Sequence, residues 1–396
     1  MLPTLNLKTG LIATASLAHV ANALTLYTSL PGSIPTQFLS PDGQYTGLAA
    51  FDPVTQTAPA PPQATQAPIT ISLPTGTVPG LNAKQHRTDF LGISLEMSVS
   101  DRVMGRNGTF LNPIFLNHIQ NLHARAGKVA IRVGGNSQEQ ATLIPAWAPL
   151  EGPTINKTAN PVQVPGFTSS PLLTISEDLL YAMSNITSLV DVEWYFGLPF
   201  LNEQEIPDVI DKATSILGTS LLGFQMANEP DIYESHGKKP APYQIPEYMA
   251  DWGRVRSTYA ADRTDLIAPN VCCSWTIDEL LTAGFLTQYG QYLHSVSVQH
   301  YKDNACDNAA VPMPPQTAFL TYQTHASVQN FWNPYINASQ AINAAGKEFI
   351  MLETNTASCG GFAGASDSYA AGLYLIDLAL QGASIGMSQI LLHNGG

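Results

Sequence analysis

Charged residues are scarce in this sequence. They make up 12% of its 396 residues, roughly half the share found in typical soluble proteins. Cations are the scarcer sign, with 17 Lys and Arg against 30 Asp and Glu and a formal net charge of −13. An acidic chain of this kind is a poor general binder of nucleic acids or anionic membranes. Any anionic substrate must therefore be held by a local site.

Two other absences exclude further classes of protein. Beyond the leader described below, no apolar run reaches the length of about 18 residues that spans a membrane. The nine histidines and four cysteines do not show the spacing of a zinc site. Four cysteines are too few for a disulfide scaffold, although they allow one or two bridges. Because side chains alternate along an extended chain, we expect the adjacent Cys272 and Cys273 to have separate roles.

Residues 1–23 have the pattern of a secretory signal peptide. Lys8 precedes the apolar run 11–21 and the small-residue triplet Ala21-Asn22-Ala23, which predicts cleavage after Ala23 and an extracellular protein. A buried helix is the alternative. Four Asn-x-Ser/Thr sequons fit a secreted glycoprotein, and they begin at Asn107, Asn156, Asn185 and Asn337.

Residues 24–86 predict an N-terminal arm or linker. They contain the segment 58–68, rich in Pro, Ala, Thr and Gln, and one strand-like alternation at 69–73. Apolar sequence is too sparse here for a domain of its own. The single strand therefore needs a partner sheet elsewhere.

Residues 87–396 alternate between strand and helix patterns. Short apolar runs predict strands at 90–95, 129–133, 192–196, 222–226, 266–268, 296–299, 349–352 and 390–392. Amphipathic segments predict helices at 113–126, 175–189, 203–217, 247–261, 277–292, 329–345 and 368–380, the second of them behind a capping box at Thr174 and Glu177.

This alternation predicts an α/β fold of the (β/α)8 TIM barrel type. An open doubly wound sheet is the alternative, but no Gly-rich phosphate-binding motif follows the first strand. No helix pattern follows the eighth strand, so the barrel is expected to be incomplete at its eighth helix. Cys306 and Cys359 follow the sixth and seventh strands, whose loops are neighbours in a barrel, and we expect them to form a disulfide.

Catalytic groups of TIM barrels lie at the carboxyl ends of the strands. Glu229 and Glu353 end the fourth and seventh predicted strands, so their side chains can face each other across the barrel mouth. Carboxyl groups about 5 to 5.5 Å apart support a retaining glycosidase, and a separation of about 6.5 Å or more supports an inverting one. Either glutamate alone is more typical of a helix N-cap partner or a solvated loop charge.

Several strings carry a resemblance to a known family. QMANEP at the fourth strand and IMLETN at the seventh resemble clan A glycoside hydrolases. LGISLEMS, RVGGNSQE, QMANEPDIY, VQHYKD and LETNTASCGG, in this order, resemble fungal members of glycoside hydrolase family 79, the β-glucuronidase and heparanase group. The resemblance extends from about Phe90 to the C-terminus. It implies a TIM barrel plus a β-sandwich domain, of which only the N-terminal arm has a counterpart here.

The resemblance also implies roles for individual residues. Glu229 would be the general acid/base and Glu353 the nucleophile, while Asn228 would bond the sugar 2-hydroxyl. Arg132 and Tyr301 would contact the nucleophile, although a structural ion pair and a packed aromatic ring are the alternatives. The two carboxyls supply acid, base and nucleophile, so no cofactor or metal is needed.

Substrate choice rests on fewer residues. The backbone N–H groups of Gly360 and Gly361 could bind the carboxylate of a uronic acid, and Glu96 and Asn136 could bond sugar hydroxyls. We expect a secreted exo-β-glucuronidase that removes glucuronic acid, or its 4-O-methyl form, from polysaccharide or proteoglycan side chains. The alternatives are an endo-acting, heparanase-like uronidase and an inactive or truncated carbohydrate-binding protein.

Overall fold

The computed structural model describes Ser72 and residues 88–146, 153–161, 170–306 and 313–395. The predicted signal peptide lies outside the described residues, as does the predicted arm with its strand, apart from Ser72. Within these described ranges, no helix is both long and apolar enough to cross a membrane.

Eight parallel strands form a closed barrel. In chain order they are β1 (Leu91–Glu96), β2 (Val129–Gly134), β3 (Val192–Leu198), β4 (Leu221–Met226), β5 (Leu266–Val271), β6 (Leu293–Gln299), β7 (Glu348–Thr354) and β8 (Gln389–Asn394). β1 pairs with β8 on one side and β2 on the other, which closes the ring. The structure thus confirms all eight predicted strands and the TIM barrel, and the open-sheet alternative is wrong.

The barrel strands are apolar because both of their faces are buried. Side chains that point inward fill the barrel core, as in the cluster of Ala130, Tyr195, Ile267, Ile350, Leu352 and Leu391. Polar side chains are concentrated at the carboxyl ends of the same strands. The apolar core therefore holds the strands rigidly and presents the polar groups at one mouth.

Helices lie between the strands. The α-helices of the described residues are Ser100–Met104, Pro113–Ala126, Glu177–Val190, Ile206–Leu217, Ile245–Tyr259, Ile277–Thr282, Phe285–Tyr289, Pro315–Tyr322, His325–Trp332, Ile336–Ala344 and Tyr369–Ser384. The predicted helix 277–292 is interrupted at Gly284, whose φ of +90° is incompatible with a continuous α-helix. The predicted helix 329–345 begins earlier and is divided by a 3-10 turn at Asn333–Tyr335, which contains Pro334.

The predicted capping box at Thr174 is wrong. Leu172–Ser176 is a strand that pairs with Thr142–Ile144 and Ile155–Thr158, outside the barrel. The helix therefore begins only at Glu177, with Ser176 as its N-cap residue. Tertiary strand pairing has overridden a local helix-start signal.

Both cysteine pairs are oxidised. Cys306 and Cys359 are joined as expected from the neighbouring loops of β6 and β7, and the short strands Asp303–Asn304 and Ala357–Ser358 pair beside them. Cys272 and Cys273 are joined to each other. The expectation of separate roles for this adjacent pair is wrong, because the chain turns here instead of staying extended.

Candidate active site

Arg132 is the hub of the polar network at the barrel mouth. Its side chain is fully buried and donates through Nη1 to Glu353 Oε2 at 2.7 Å and to Ser94 Oγ at 2.8 Å. Nη2 donates to Asn228 Oδ1 and Nε to Gln225 Oε1, each at 2.7 Å. One guanidinium therefore connects β1, β2, β4 and β7 and fixes the positions of their polar side chains.

The surroundings of Glu353 favour its ionised form. Tyr301 donates its hydroxyl to Glu353 Oε1 at 2.6 Å, and His393 Nδ1 lies 3.8 Å from Oε2. Burial alone would raise the pKa of Glu353, but His393, Arg132 and the Tyr301 hydrogen bond together hold it below the ordinary value. Glu353 is therefore a carboxylate at neutral pH.

The surroundings of Glu229 have the opposite effect. Burial, followed by the charges of Glu353 and Asp231, raises the pKa of Glu229 to about 8. Lys238 and a hydrogen bond from Asn136 oppose this rise only in part. At neutral pH one carboxyl of the pair is thus protonated and the other ionised, the division of roles that acid/base and nucleophile chemistry requires.

The backbone at the end of β4 is bent to present Glu229. Ala227 and Glu229 adopt positive φ angles of +69° and +51°, conformations that cost energy for residues with a Cβ atom. Asn270 on β5 supports both. Its carbonyl accepts the Glu229 N–H at 3.1 Å, and its Nδ2 donates to the Ala227 carbonyl at 2.8 Å.

The orientation of the Asn228 amide is fixed by three donors. Its Oδ1 accepts from Arg132 at 2.7 Å, from Gln225 at 2.9 Å and from Gln299 at 2.8 Å. Its Nδ2 is buried and has no hydrogen-bond partner among the described residues. A buried donor without a partner is costly in the free protein. The site is therefore built to receive an acceptor atom beside Glu229.

Glu96 and Asn136 both bond to protein groups at the rim. Glu96 accepts from the Ser137 backbone N–H at 3.1 Å and from the Ser137 hydroxyl. Gly135 has a φ of +101°, which favours glycine, and a Cβ atom there would lie 2.1 Å from the Glu96 carboxylate and displace it. Asn136 donates to Glu229 and accepts from Lys238. Contacts of Glu96 and Asn136 with sugar hydroxyls stay a prediction.

Gly360 and Gly361 lie in the loop after β7, next to the disulfide-bonded Cys359. Both have positive φ angles, +83° and +78°. The Gly361 N–H donates to the Ser358 carbonyl at 3.2 Å, which engages one of the two amides within the loop. Anion binding by this pair stays a prediction.

Several residues of the network were missed by the sequence analysis. Gln225 and Gln299 are polar residues within buried strands and point into the barrel, a signal that could have identified them. Glu139 was also missed. It is buried, accepts from the Asn228 backbone N–H and, at 2.7 Å, from the Tyr233 hydroxyl. Burial raises the pKa of Glu139 to about 7, against the lowering effects of Lys238 and Tyr233.

One group of side chains among the described residues has the spacing of a metal site, namely Asp231, Cys272 and Cys273. The two sulfur atoms are bonded to each other, so neither is a thiolate ligand. Asp231 already accepts the backbone N–H groups of Cys272, Cys273 and Ser274 at 2.7 to 3.1 Å. The cluster is structural in this oxidised form.

No protein-family model and no curated protein matches the sequence. Among solved structures, the chain is similar to a 4-O-α-L-rhamnosyl-β-D-glucuronidase from Fusarium oxysporum 12S, with a TM-score of 0.62 and 20% identity over 80% of this chain and 65% of that one. It is also similar to the GH51 arabinofuranosidase from Xanthomonas axonopodis pv. citri, with a TM-score of 0.50 and 10% identity over 78% and 67% of the two chains. The chain thus spans less than two thirds of the rhamnosyl-glucuronidase. At these identities the similarity establishes a barrel fold shared with glycoside hydrolases.

Proposed function

We propose that the chain is a retaining β-glycosidase that hydrolyses β-glucuronides. The observation that carries the proposal is the placement of two buried carboxyls at one barrel mouth, Glu353 bonded by Arg132 and Tyr301 and Glu229 by Asn136. The surroundings favour the protonated form of Glu229, after β4, and the ionised form of Glu353, on β7. A glycosidase needs this pair, a proton donor for the leaving oxygen and an ionised carboxylate that either attacks the sugar or activates water. The resemblance to family 79 favours direct attack by Glu353 and hence retention.

The proposed reaction has two steps. First, a Glu353 oxygen attacks the anomeric carbon, the bond from that carbon to the leaving oxygen breaks, and Glu229 gives its proton to that oxygen. Second, Glu229 takes a proton from water, and the water oxygen displaces Glu353 from the anomeric carbon. Two inversions restore the β configuration, and both carboxyls return to their starting states.

Arg132 and Tyr301 assist the first step in this scheme. Both donate hydrogen bonds to Glu353 and so hold the attacking carboxylate ionised and in place. Arg132 and Tyr301 remain hydrogen-bonded to Glu353 when the carboxylate loses its negative charge on forming the sugar ester. The Asn228 Nδ2 donor would bond the sugar 2-hydroxyl, a contact that strengthens in an oxocarbenium-like transition state.

A glucuronide is the proposed substrate on three grounds. The sequence strings resemble family 79, one similar structure is a glucuronidase, and the loop after β7 offers the Gly360 amide to a carboxylate without adding net charge, while the Gly361 N–H donates to the Ser358 carbonyl. The low cation content of the chain favours exo action over an open basic groove. We further propose that the protein is secreted, in keeping with its leader and sequons.

Hydrolysis of 4-nitrophenyl β-glucuronide by the full chain tests this proposal. We expect release of nitrophenol, loss of that activity in Glu353→Gln, and β-glucuronic acid as the first product in proton NMR. Glu348→Gln, at the opposite end of β7, is the matched control and should retain activity. A folded chain that does not hydrolyse the glucuronide overturns the substrate assignment. An α anomer as first product overturns the retaining mechanism.

A further inference from the structure

Lys238 is a cation beside the acid/base glutamate that the reaction scheme does not use. It lies in the loop after β4, beyond the 3-10 turn Pro230–Ile232. Its Nζ is 2.7 Å from Asn136 Oδ1 and 5.4 Å from the ring centroid of Tyr233. Asn136 in turn donates through Nδ2 to Glu229 Oε2 at 3.0 Å. The three residues form a chain of hydrogen bonds that ends on Glu229.

The chemistry of these groups fixes which atom donates and which accepts in each of these hydrogen bonds. A lysine ammonium has three donors and no acceptor, so only the amide oxygen of Asn136 can face it. The amide nitrogen must then face Glu229 and donate to Oε2. A proton on Oε2 would face the hydrogen of this N–H group and be repelled by it, whereas a proton on Oε1 would not. The proton of the carboxylic acid therefore belongs on Oε1.

We propose that Lys238 is a positioning residue for the general acid, which through Asn136 places the transferable proton on Glu229 Oε1. This inference rests on the proposed function, because it concerns the proton that Glu229 gives to the leaving oxygen. Without the ammonium, the Asn136 amide can turn over. Its oxygen would then accept the Glu229 proton and draw it away from the substrate.

The charged groups around Lys238 and Glu229 are consistent with this role. Burial lowers the pKa of Lys238, and the neighbouring carboxyls of Glu139, Glu229 and Glu96 oppose that effect and favour the ammonium form. Burial and the charges of Glu353 and Asp231 raise the pKa of Glu229, whereas Lys238 lowers it. Removing the lysine charge should therefore move the Glu229 pKa upward from about 8.

Aryl β-glucuronides of graded leaving-group ability test the inference. A phenyl group leaves only with protonation, whereas a 2,4-dinitrophenyl group leaves without it. In Lys238→Met we expect kcat/KM to fall about 10- to 100-fold for the phenyl substrate and less than about 3-fold for the dinitrophenyl one. Lys238→Arg, which keeps a donor cation, should restore most of the loss. An equal fall for both substrates overturns the inference, since a structural defect would affect both.

Lys239 provides a matched control. It is the next residue, carries the same charge, and pairs with Asp251 at 2.7 Å rather than with the Asn136 chain. Lys239→Met should leave the dependence on leaving group unchanged. Because Lys238 is proposed to act through Asn136, Lys238→Met should add nothing to Asn136→Ala in a double-mutant cycle. Fully additive losses contradict the inference. If Lys238→Met does not fold, Asn136→Ala can be compared with the wild type on the phenyl and dinitrophenyl substrates instead.

A second measurement needs no substrate. Carbon-13 NMR of carboxyl-labelled glutamates, assigned with Glu229→Gln, should show the Glu229 titration midpoint rising in Lys238→Met and staying in place in Lys239→Met. An unchanged midpoint overturns the inference even in an active enzyme. A shifted midpoint in a chain that hydrolyses no glycoside supports the Lys238 contact and contradicts the proposed function.

Discussion

The Nη1 atom of Arg132 lies 2.7 Å from Oε2 of Glu353 in an ion pair whose guanidinium is completely buried. The two residues come from β2 and β7, and the same guanidinium holds Asn228, just after β4. Loss of one partner from such a pair leaves an uncompensated charge in a buried site. The pair therefore links the stability of the barrel to the state of its nucleophile.

Replacement of Arg132 tests this link. We expect Arg132→Met to lower the free energy of unfolding by about 3 to 5 kcal/mol, the usual cost of breaking a buried pair from one side, and to reduce kcat/KM. Urea unfolding and glucuronide hydrolysis measure the two effects. Arg254→Met is the control, because Arg254 pairs with Glu203 and Asp251 at the surface and its loss should cost no more than about 1 kcal/mol. Equal costs for the two variants contradict the prediction.

The pH dependence of activity follows from the two catalytic carboxyls. Activity requires Glu353 ionised, so kcat/KM should fall in acid only below the ordinary pKa of a glutamate. It also requires Glu229 protonated, so kcat/KM should fall in alkali as pH rises through about 8. The profile reports the coupled pair as a whole. A kcat/KM profile that stays flat between pH 7 and pH 9 would contradict the assignment of Glu229 as the acid.

Stability should also depend on pH through Glu229. Its pKa in the folded protein, about 8, lies above the value of an unfolded glutamate, so folding is favoured by binding a proton. That stabilisation is complete below the unfolded pKa and is lost as pH rises through about 8. Glu229→Gln lacks this titration. We expect the free energy of unfolding, measured with urea, to decrease less from pH 6 to pH 9 in Glu229→Gln than in the wild type. Glu139 titrates in both proteins, so its contribution cancels in the comparison.

Tyr301→Phe removes one hydrogen bond from the nucleophile. The Tyr301 hydroxyl is 2.6 Å from Glu353 Oε1 and favours the charged form. We expect the acid limb of the kcat/KM profile to move to higher pH and kcat/KM at neutral pH to fall. Tyr335→Phe is the control, since its hydroxyl bonds His300 Nδ1 at 3.0 Å rather than a catalytic carboxyl. An acid limb in the same place for both variants would argue against the role of Tyr301.

The Cys306–Cys359 bridge should stabilise the barrel and the loop that follows the nucleophile. It closes a loop with a sequence separation of 53 residues, for which chain entropy predicts roughly 4 kcal/mol. The double variant Cys306→Ser/Cys359→Ser should therefore unfold at lower urea concentration. Unfolding midpoints that coincide for the variant and the wild type would mean that the bridge does not form in solution.

The barrel and its central carboxyls could be predicted because each rests on local patterns. Apolar β-branched runs mark the strands, and strand ends of a parallel barrel share one mouth, so Glu229 and Glu353 could be placed together from the sequence. The contact of Arg132 with Glu353 was implied by the resemblance to family 79. The fourth and seventh strands confirm that placement. Signals that depend only on neighbouring residues were sufficient there.

The remaining features depend on contacts between distant loops. Lys238 lies in a loop and contacts Asn136, about a hundred residues earlier in the sequence, through a side-chain hydrogen bond, and no periodicity marks it. Thr174 has a convincing helix-start pattern, yet its segment joins a small sheet because partner strands are available. The bond between Cys272 and Cys273 requires a turn that an alternation rule does not foresee.

The locked amide of Asn228 has a consequence for which sugars the cleft accepts. Three donors hold its oxygen, so the amide cannot turn over to accept a hydrogen bond from a ligand. Only a ligand atom that accepts a hydrogen bond can pair with Nδ2. A 2-deoxy sugar would leave Asn228 Nδ2 buried without a hydrogen-bond acceptor. Sites built around such a contact commonly discriminate against the analogue that lacks the hydroxyl by about 10⁴-fold or more. Under the proposed function, selectivity at this ring position is set by the barrel interior, through Gln225 and Gln299, and we expect changes in the surrounding loops to leave it intact.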